Sequence, residues 1–284
     1  MGVAEDFRAV VARLRGWGVT VVEYPGCYGR SNGSSWSRGV PIGHTNHHYV
    51  CSLNPSQGYI DGLVGNLAGG NTVNWFADVN GVAYLLGVGP MNHAGMGSSA
   101  VRDRVANDRP PAGPAASVGV PNDWSGGNAS YSGTEGQHPG DSTPWPSRLI
   151  DVMVAINAAE FLQWNYTAAR AIHHYEHTNR KIDMSWLGGA SSTRGGTELR
   201  QRVAARMGTA GVLPPRPGPE GDDIVTDDDI KKIAAAVWAY GIPRHSTVKD
   251  GKEVPVDADA KNTLAAISTL SARGLIESTR AARQ

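Results

Sequence analysis

The sequence lacks the features that define several large classes of protein. Only two cysteines, Cys27 and Cys51, occur among 284 residues, so a disulfide-rich scaffold and a cysteine zinc ribbon are both excluded. The two thiols permit one disulfide bond, which spacing alone leaves open. The formal net charge is +0, so no overall positive field draws the chain to nucleic acid, and no nucleic-acid partner is expected.

Long apolar segments are also missing. No run approaches about 18 apolar residues, so no membrane span is expected. The start, Met-Gly-Val-Ala-Glu-Asp, has no basic stretch followed by an apolar one, and we therefore expect no signal peptide. What the chain does contain is 40% hydrophobic residues, which is enough to fill a globular core.

Hydrophobic periodicity predicts alternating helices and strands over the first three quarters of the chain. The predicted elements are a helix at 4–17, strands at 19–24 and 43–51, a hairpin at 74–86, a helix at 146–164, a strand at 168–173 and a helix at 199–207. Between residues 87 and 144 Gly, Ser, Asn and Pro are frequent, and this composition predicts a long surface loop.

Composition divides the chain into three parts. Residues 1–210 are predicted to form the main domain, and 211–225 a linker rich in proline and glycine. Residues 226–284 are predicted to form a small helical module, with one helix that begins near Thr226 and a second at 257–281.

Histidines are the most informative residues, because eight of the nine precede the linker. The segment from His174 to Asp183 combines imidazole, carboxylate and a lysine, all of which suit a zinc hydrolase. A catalytic zinc site needs about three protein ligands and an open position, so this segment supplies at most part of one.

Pairs of adjacent histidines limit which residues can supply the remaining zinc ligand. Neighbouring strand residues point to opposite faces, so only one of His47 and His48, and one of His173 and His174, can face a shared site. We expect His48 and His173 to make buried hydrogen bonds behind the metal ligands and not to bind the metal themselves. A rival local site pairs His173 with His177, which would share a face of a helix.

Four motifs occur in order along the chain. They are Asn46-His-His-Tyr-Val50, Asn92-His-Ala-Gly95, Gly133-Thr-Glu135 and His174-x-Glu-x-x-x-Arg-Lys-Ile-Asp183. Together they resemble the zinc-dependent N-acetylmuramoyl-L-alanine amidases related to peptidoglycan recognition proteins, in the form found in endolysins of phages that infect actinobacteria. The resemblance covers residues 4–208 and implies an α/β fold with a mixed central β-sheet flanked by helices.

The resemblance also implies residue roles and a cofactor, Zn²⁺. It assigns the zinc ligands His47, His174 and Asp183, the catalytic groups Glu135 and Lys181, and the groove-lining residues Asn92 and His93. Glu135 would assist the attacking water, and Lys181 would stabilise the oxyanion.

The sequence departs from the family pattern at three places. Tyr49-Val50 replaces the usual Thr-Ala, Met184 stands where a proline normally follows the third ligand, and Val73 stands where some relatives carry a catalytic tyrosine. The missing tyrosine places more of the expected chemistry on Glu135 and Lys181.

The implied function is that of a phage endolysin, made in the host cytoplasm without a signal peptide and acting at the bacterial cell wall. Its partner would be peptidoglycan, cut between N-acetylmuramic acid and L-alanine. Two alternatives stay open: a peptidoglycan-binding module without activity, and a zinc peptidase that cuts within the stem peptide.

Trp124 and Trp145 could stack on sugars or pack in the core. The C-terminal module could bind the wall, self-associate through its helices or mount the protein on a phage particle.

Overall fold

The protein was analysed as a computed structural model, which describes residues 2–49, 57–65, 71–208, 247–249 and 252–254. The chain divides into two compact units, Met1–Arg216 and Pro217–Gln284. The first unit has the predicted fold class: a six-stranded mixed β-sheet flanked by helices. Within the described ranges, no helix is both long and apolar enough to cross a bilayer.

The elements of the first unit alternate along the chain as an α/β domain requires. They are α1 (Val3–Gly16), β1 (Thr20–Glu23), β2 (Gly43–Tyr49), α2 (Gln57–Gly65), β3 (Trp75–Ala77), β4 (Val82–Leu85), α3 (Ser99–Ala106), β5 (Tyr131–Gln137), α4 (Ser147–Trp164), β6 (Ala171–His173), α5 (His174–His177) and α6 (Arg194–Gly208).

The strands lie in the order β1-β4-β3-β5-β2-β6. Strands β3, β5, β2 and β6 are mutually parallel, whereas the β3–β4 hairpin is antiparallel and β1 runs parallel to β4. β2 therefore lies between β5 and β6, and all three strands end at the same edge of the sheet. In α/β sheets this carboxyl edge is where ligands bind.

The helices form because their apolar residues fall on the faces that meet the sheet. In α1 the residues Phe7, Val10, Val11 and Leu14 recur at helical spacing, and all are buried. Acidic residues in its first turn and basic residues in its last turn complement the helix dipole. α4 is buried over most of its circumference, because the sheet and the helices α1 and α6 enclose it.

A buried polar network joins α4 to the sheet. The Glu160 carboxylate accepts a hydrogen bond from the Trp75 indole at 2.7 Å and lies 2.8 Å from His44 Nδ1. Ser132 donates to the same carboxylate, and the other nitrogen of His44 contacts the Thr134 hydroxyl at 2.8 Å. All five residues are fully buried, so each polar group depends on these partners for its hydrogen bonds.

The prediction of a long surface loop at 87–144 was wrong, because this segment contains α3 and the central strand β5. Every residue of β5 is buried, and its sequence Tyr-Ser-Gly-Thr-Glu-Gly-Gln shows no apolar alternation. Ser132 and Thr134 are tolerated there because Glu160 and His44 hydrogen-bond to them on the face that meets α4. α2 was not predicted either.

The second unit shows one described element pair, β7 (Thr247–Lys249) and β8 (Lys252–Val254), which pair as an antiparallel hairpin. The sequence did not predict this hairpin. The predicted linker at 211–225 and both predicted C-terminal helices lie outside the described residues.

Replacement of Glu160 tests the buried network. Glu160→Gln replaces one carboxyl oxygen by an NH2 group, which cannot accept the hydrogen bonds from Trp75 or Ser132, so we expect the free energy of unfolding to fall by about 3 kcal/mol. Urea unfolding followed by circular dichroism measures this change.

Glu198→Gln provides the matched control, because Glu198 pairs with Arg202 on the solvent-facing side of α6. Its loss should cost less than about 0.5 kcal/mol. Equal small effects of the two substitutions would contradict a stabilising role for the network.

Candidate metal centre

The strand β2 delivers the first residue of the site. Because side chains alternate along a strand, Thr45 and His47 share one face of the sheet, and His44 and Asn46 share the face that meets α4. His47 is fully buried near the carboxyl end of β2.

The second residue arrives by strand pairing. β6 pairs with β2 so that His173 lies beside Asn46, and the chain then turns into α5 at His174. His174 thereby reaches His47, and their ring centroids lie 4.3 Å apart.

The third residue returns through a short loop. The backbone N–H of Tyr175 donates to the carbonyl of Asp183 at 2.7 Å, which closes the loop against α5. One carboxylate oxygen, Asp183 Oδ2, then lies 2.8 Å from His174 Nδ1 and 3.4 Å from His47 Nδ1.

These three side chains form a possible metal site. One ligand atom from each of His47, His174 and Asp183 lies within 4.8 Å of the other two, and no other His/Cys/Asp/Glu group in the described part of the chain has this geometry. Two imidazole nitrogens and a carboxylate oxygen match the ligands of catalytic zinc sites. The donor chemistry therefore fits the ion that the sequence predicts.

The electrostatics of the site also fit a cation. Burial, reinforced by the neighbouring His174, lowers the pKa of His47 to about 3, so its ring is neutral at pH 7. Burial alone would raise the pKa of Asp183, but the hydrogen bond from His174, together with the neighbouring His47, outweighs burial and holds that pKa below its ordinary range. A neutral imidazole and an ionised carboxylate are the forms that bind metal.

Glu135 faces the same space from β5. It pairs in register with His47, so both side chains project from the same face of the sheet. Glu135 is 9% exposed, and its Oε2 atom has no hydrogen-bond partner. Burial, with the nearby charge of Asp183, raises its pKa well above the ordinary value, and the charge of Lys181 opposes this. Lys181 itself is exposed.

His93 and Asn92 occupy different environments. His93 is 8% exposed and its ring lies behind His47, at a centroid distance of 5.2 Å. Burial lowers its pKa well below the ordinary value, so the ring is neutral. Asn92 is partly exposed and accepts a hydrogen bond from Asn32 at 3.0 Å.

His48 and His173 lie outside the three-residue cluster, as alternation requires. His48 Nδ1 accepts the backbone N–H of Ser185 at 3.3 Å, two residues beyond Asp183, and so contacts the loop that carries the carboxylate. The backbone N–H of His173 donates to Glu176 at 3.0 Å, and its ring packs against Trp186 on the side of α6.

The rival pair His173 and His177 does not form a shared site. His173 has an extended backbone and precedes α5, so the two residues do not lie on one helical face. His177 packs instead against Tyr131, with 5.1 Å between ring centroids.

The two tryptophans make packing contacts. Trp145 stacks on His138 with ring centroids 4.1 Å apart and planes 4° from parallel. Trp124 meets Tyr131 and His177 edge to face. These contacts favour the core-packing interpretation over sugar stacking.

Thr45 is a site residue that the sequence reasoning missed. Its hydroxyl lies 2.8 Å from His47 Nε2 and 3.0 Å from His93 Nδ1. The period of two along β2 places Thr45 on the face of His47, and that signal was present in the sequence.

Comparisons with known proteins add little. No family model matches the sequence, and no curated protein matches it. The solved structures that resemble the chain include those of the PlyG catalytic domain and AmpD. The solution structure of the PlyG catalytic domain has a TM-score of 0.42 and 12% identity, covering 68% of this chain and 98% of that one. The crystal structure of a Se-Met AmpD derivative has a TM-score of 0.42 and 16% identity, covering 65% of this chain and 96% of that one.

The raised pKa of Glu135 predicts a pH-dependent cost to stability in the metal-free protein. The folded state holds this proton to higher pH than the unfolded state does, so stability falls as pH rises above the ordinary glutamate pKa. Glu135→Gln cannot ionise and should be more stable than the unsubstituted protein at pH 7.5, by at least about 1 kcal/mol.

The advantage of Glu135→Gln should vanish below about pH 4, where glutamate is protonated in both states. Urea unfolding in the presence of a chelator at both pH values measures the difference. A stability difference that is independent of pH would count against a buried, ionisable Glu135.

Proposed function

We propose that this chain is a zinc-dependent N-acetylmuramoyl-L-alanine amidase that hydrolyses the amide bond joining peptidoglycan glycan to its stem peptide. The observation that carries the proposal is the convergence of His47, His174 and Asp183 beside the buried carboxyl group of Glu135. A metal ligand set next to a buried carboxyl group with one unbonded oxygen suits metal-assisted hydrolysis.

The proposed ligands number three, as in catalytic zinc sites, which keep a further position for water or substrate. In this proposal His47, His174 and Asp183 would hold the ion, as their donor set and protonation states support. Zinc in such a set acts as a Lewis acid toward a carbonyl and makes water acidic near neutral pH.

Glu135 is proposed to move the proton. Its Oε2 atom is buried without a hydrogen-bond partner, so it is available to a water molecule on the site face of the sheet. A carboxyl group with a raised pKa can accept a proton from attacking water and return it to the leaving amine nitrogen.

Lys181 is proposed to stabilise the oxyanion. Its charge acts on Glu135 and on His48, so it lies close to the site, and its side chain is exposed to incoming substrate. A fixed cation beside the scissile carbonyl lowers the barrier by stabilising the negative charge that develops on oxygen.

The substrate class and the setting rest on the ordered motifs of the sequence. They support peptidoglycan as the substrate, a phage endolysin as the biological form and the bacterial cell wall as the place of action. The proposed division into a catalytic domain at 1–210, a linker at 211–225 and a module at 226–284 belongs to the same proposal.

Two alanine variants separate metal binding from catalysis. His174→Ala should lose stoichiometric zinc and all release of soluble peptide from purified cell walls. Lys181→Ala should keep its zinc and lose about 100-fold in turnover, the typical cost of removing one oxyanion-stabilising group. Zinc is measured by atomic absorption, and turnover by new amino groups.

Arg109→Ala serves as the control, because Arg109 is an exposed cation beyond the end of α3. Its turnover should not change. Full activity of a zinc-loaded His174→Ala protein would refute the ligand assignment, and loss of zinc from Lys181→Ala would refute the role of Lys181.

Mass spectrometry of the released fragments identifies the bond that is cut. An amidase releases whole stem peptides that begin with L-alanine and leaves the lactyl group on the glycan. Fragments with new termini inside the stem would identify a peptidase, and wall binding without any fragment would identify a binding module.

A further inference from the structure

We propose that His93 is a positioning residue that, together with Thr45, fixes the tautomer of His47 so that its Nδ1 lone pair faces the metal centre. The inference deepens the proposed function, because it rests on His47 acting as a ligand there. In this proposal His93 orients the ligand His47 through hydrogen bonds and does not line the substrate groove, which is the role that the resemblance implies.

A backbone carbonyl determines which nitrogen of His93 carries the proton. His93 Nε2 lies 3.0 Å from the carbonyl oxygen of Tyr131. A carbonyl oxygen can only accept a hydrogen bond, so Nε2 carries the proton and donates it. The buried ring has a carbonyl, a hydroxyl and an imidazole as its described hydrogen-bond partners and no carboxylate to balance a second proton, so Nδ1 of His93 presents a lone pair.

That lone pair belongs to a triangle of three polar atoms. His93 Nδ1 lies 3.0 Å from the Thr45 hydroxyl oxygen and 3.2 Å from His47 Nε2, and the hydroxyl oxygen lies 2.8 Å from His47 Nε2. The Thr45 hydroxyl also lies 3.2 Å from the carbonyl oxygen of Ser132.

The number of protons in the triangle selects the tautomer of His47. If His47 Nε2 were bare, two lone pairs would face each other, and the Thr45 hydroxyl could donate to only one of them. If His47 Nε2 is protonated, it donates toward the Thr45 oxygen and the bare nitrogen of His93, and the single Thr45 proton is left for His93 or for the Ser132 carbonyl. The second arrangement leaves His47 with its lone pair on Nδ1.

Nδ1 is the atom of His47 that the site requires. It lies 3.4 Å from Asp183 Oδ2, whereas Nε2 lies 2.8 Å from the Thr45 hydroxyl oxygen, so the shorter contact places the proton on Nε2 and not on Nδ1. Metal-binding histidines usually donate their other ring N–H to a fixed acceptor, which orients the ring and its tautomer. Thr45 and His93 supply that acceptor here.

The fold makes room for the His93 ring at one glycine. A Cβ atom on Gly133 would lie 2.6 Å from His93 Nδ1, closer than real contacts allow. Gly133 therefore permits the ring to reach the triangle. The same strand supplies the Tyr131 carbonyl that orients His93.

Nitrogen-15 NMR of the imidazoles tests the tautomer directly in the metal-free protein. Long-range ring correlations should show His47 and His93 both protonated at Nε2. In His93→Leu the His47 signals should shift toward a mixture of tautomers. His47 protonated at Nδ1 in the unsubstituted protein would overturn the proposal.

Zinc affinity, measured by competition with a chromophoric chelator, gives the second readout. His93→Leu should weaken zinc binding by about 10- to 100-fold, the usual cost of removing such a partner. His93→Gln should recover most of this loss, because its amide can donate to the Tyr131 carbonyl and turn its oxygen toward Thr45.

His177→Leu is the matched control. His177 is equally buried and packs on the ring of Tyr131, but it makes no hydrogen bond to His47 among the described contacts. It should bind zinc as the unsubstituted protein does. Unchanged zinc affinity in His93→Leu, or an equal loss in His177→Leu, would overturn the proposal.

The two readouts also separate this inference from the proposed function. An unsubstituted protein that binds no zinc refutes the proposed function, and the NMR tautomers still decide the role of His93. Normal zinc binding with the wrong tautomer refutes the positioning role alone.

Discussion

The candidate site depends above all on the register between the parallel strands β2 and β5. This register sets His47 beside Glu135 on one face of the sheet. A slip of one residue would turn one of the two side chains to the other face and separate ligand from acid. On that other face, His44 and Thr134 hydrogen-bond to each other, and His44 also contacts Glu160 of α4. The buried network and the site are thus held by the same two strands.

The site combines positions that are fixed in different ways. His47 and His174 are set by strand pairing, since β6 lies against β2 and ends one residue before His174. Asp183 is set by a loop, which the hydrogen bond from Tyr175 closes. Both parts meet at the carboxyl edge of the parallel strands, where strand ends and loops can supply side chains to one place. The sheet therefore positions His47 and the residue that directly follows β6, His174, and the loop adds Asp183 to the cluster.

The elements that were predicted correctly from the sequence are those with a recognisable pattern among residues that are close together in the chain. The helix α1 has apolar residues at helical spacing, and the predicted hairpin at 74–86 contains the turn dipeptide Asn80-Gly81; the structure confirms both elements. β5 had no such signal, because its polar residues are buried by partners far away in the chain, such as Glu160. The contacts of His93 could not be predicted from the sequence for the same reason. Its contacts with Thr45 and Tyr131 span tens of residues and arise only once the strands are paired.

We propose that two histidines and one carboxylate, His47, His174 and Asp183, hold a zinc ion. X-ray absorption spectroscopy of the zinc-loaded protein tests it most directly, because imidazole rings give a distinct outer-shell scattering pattern and sulfur lies farther from zinc. Our account predicts nitrogen and oxygen neighbours at about 2.0 to 2.2 Å and the scattering of two imidazoles. A third imidazole, or a sulfur neighbour at about 2.3 Å, would contradict it.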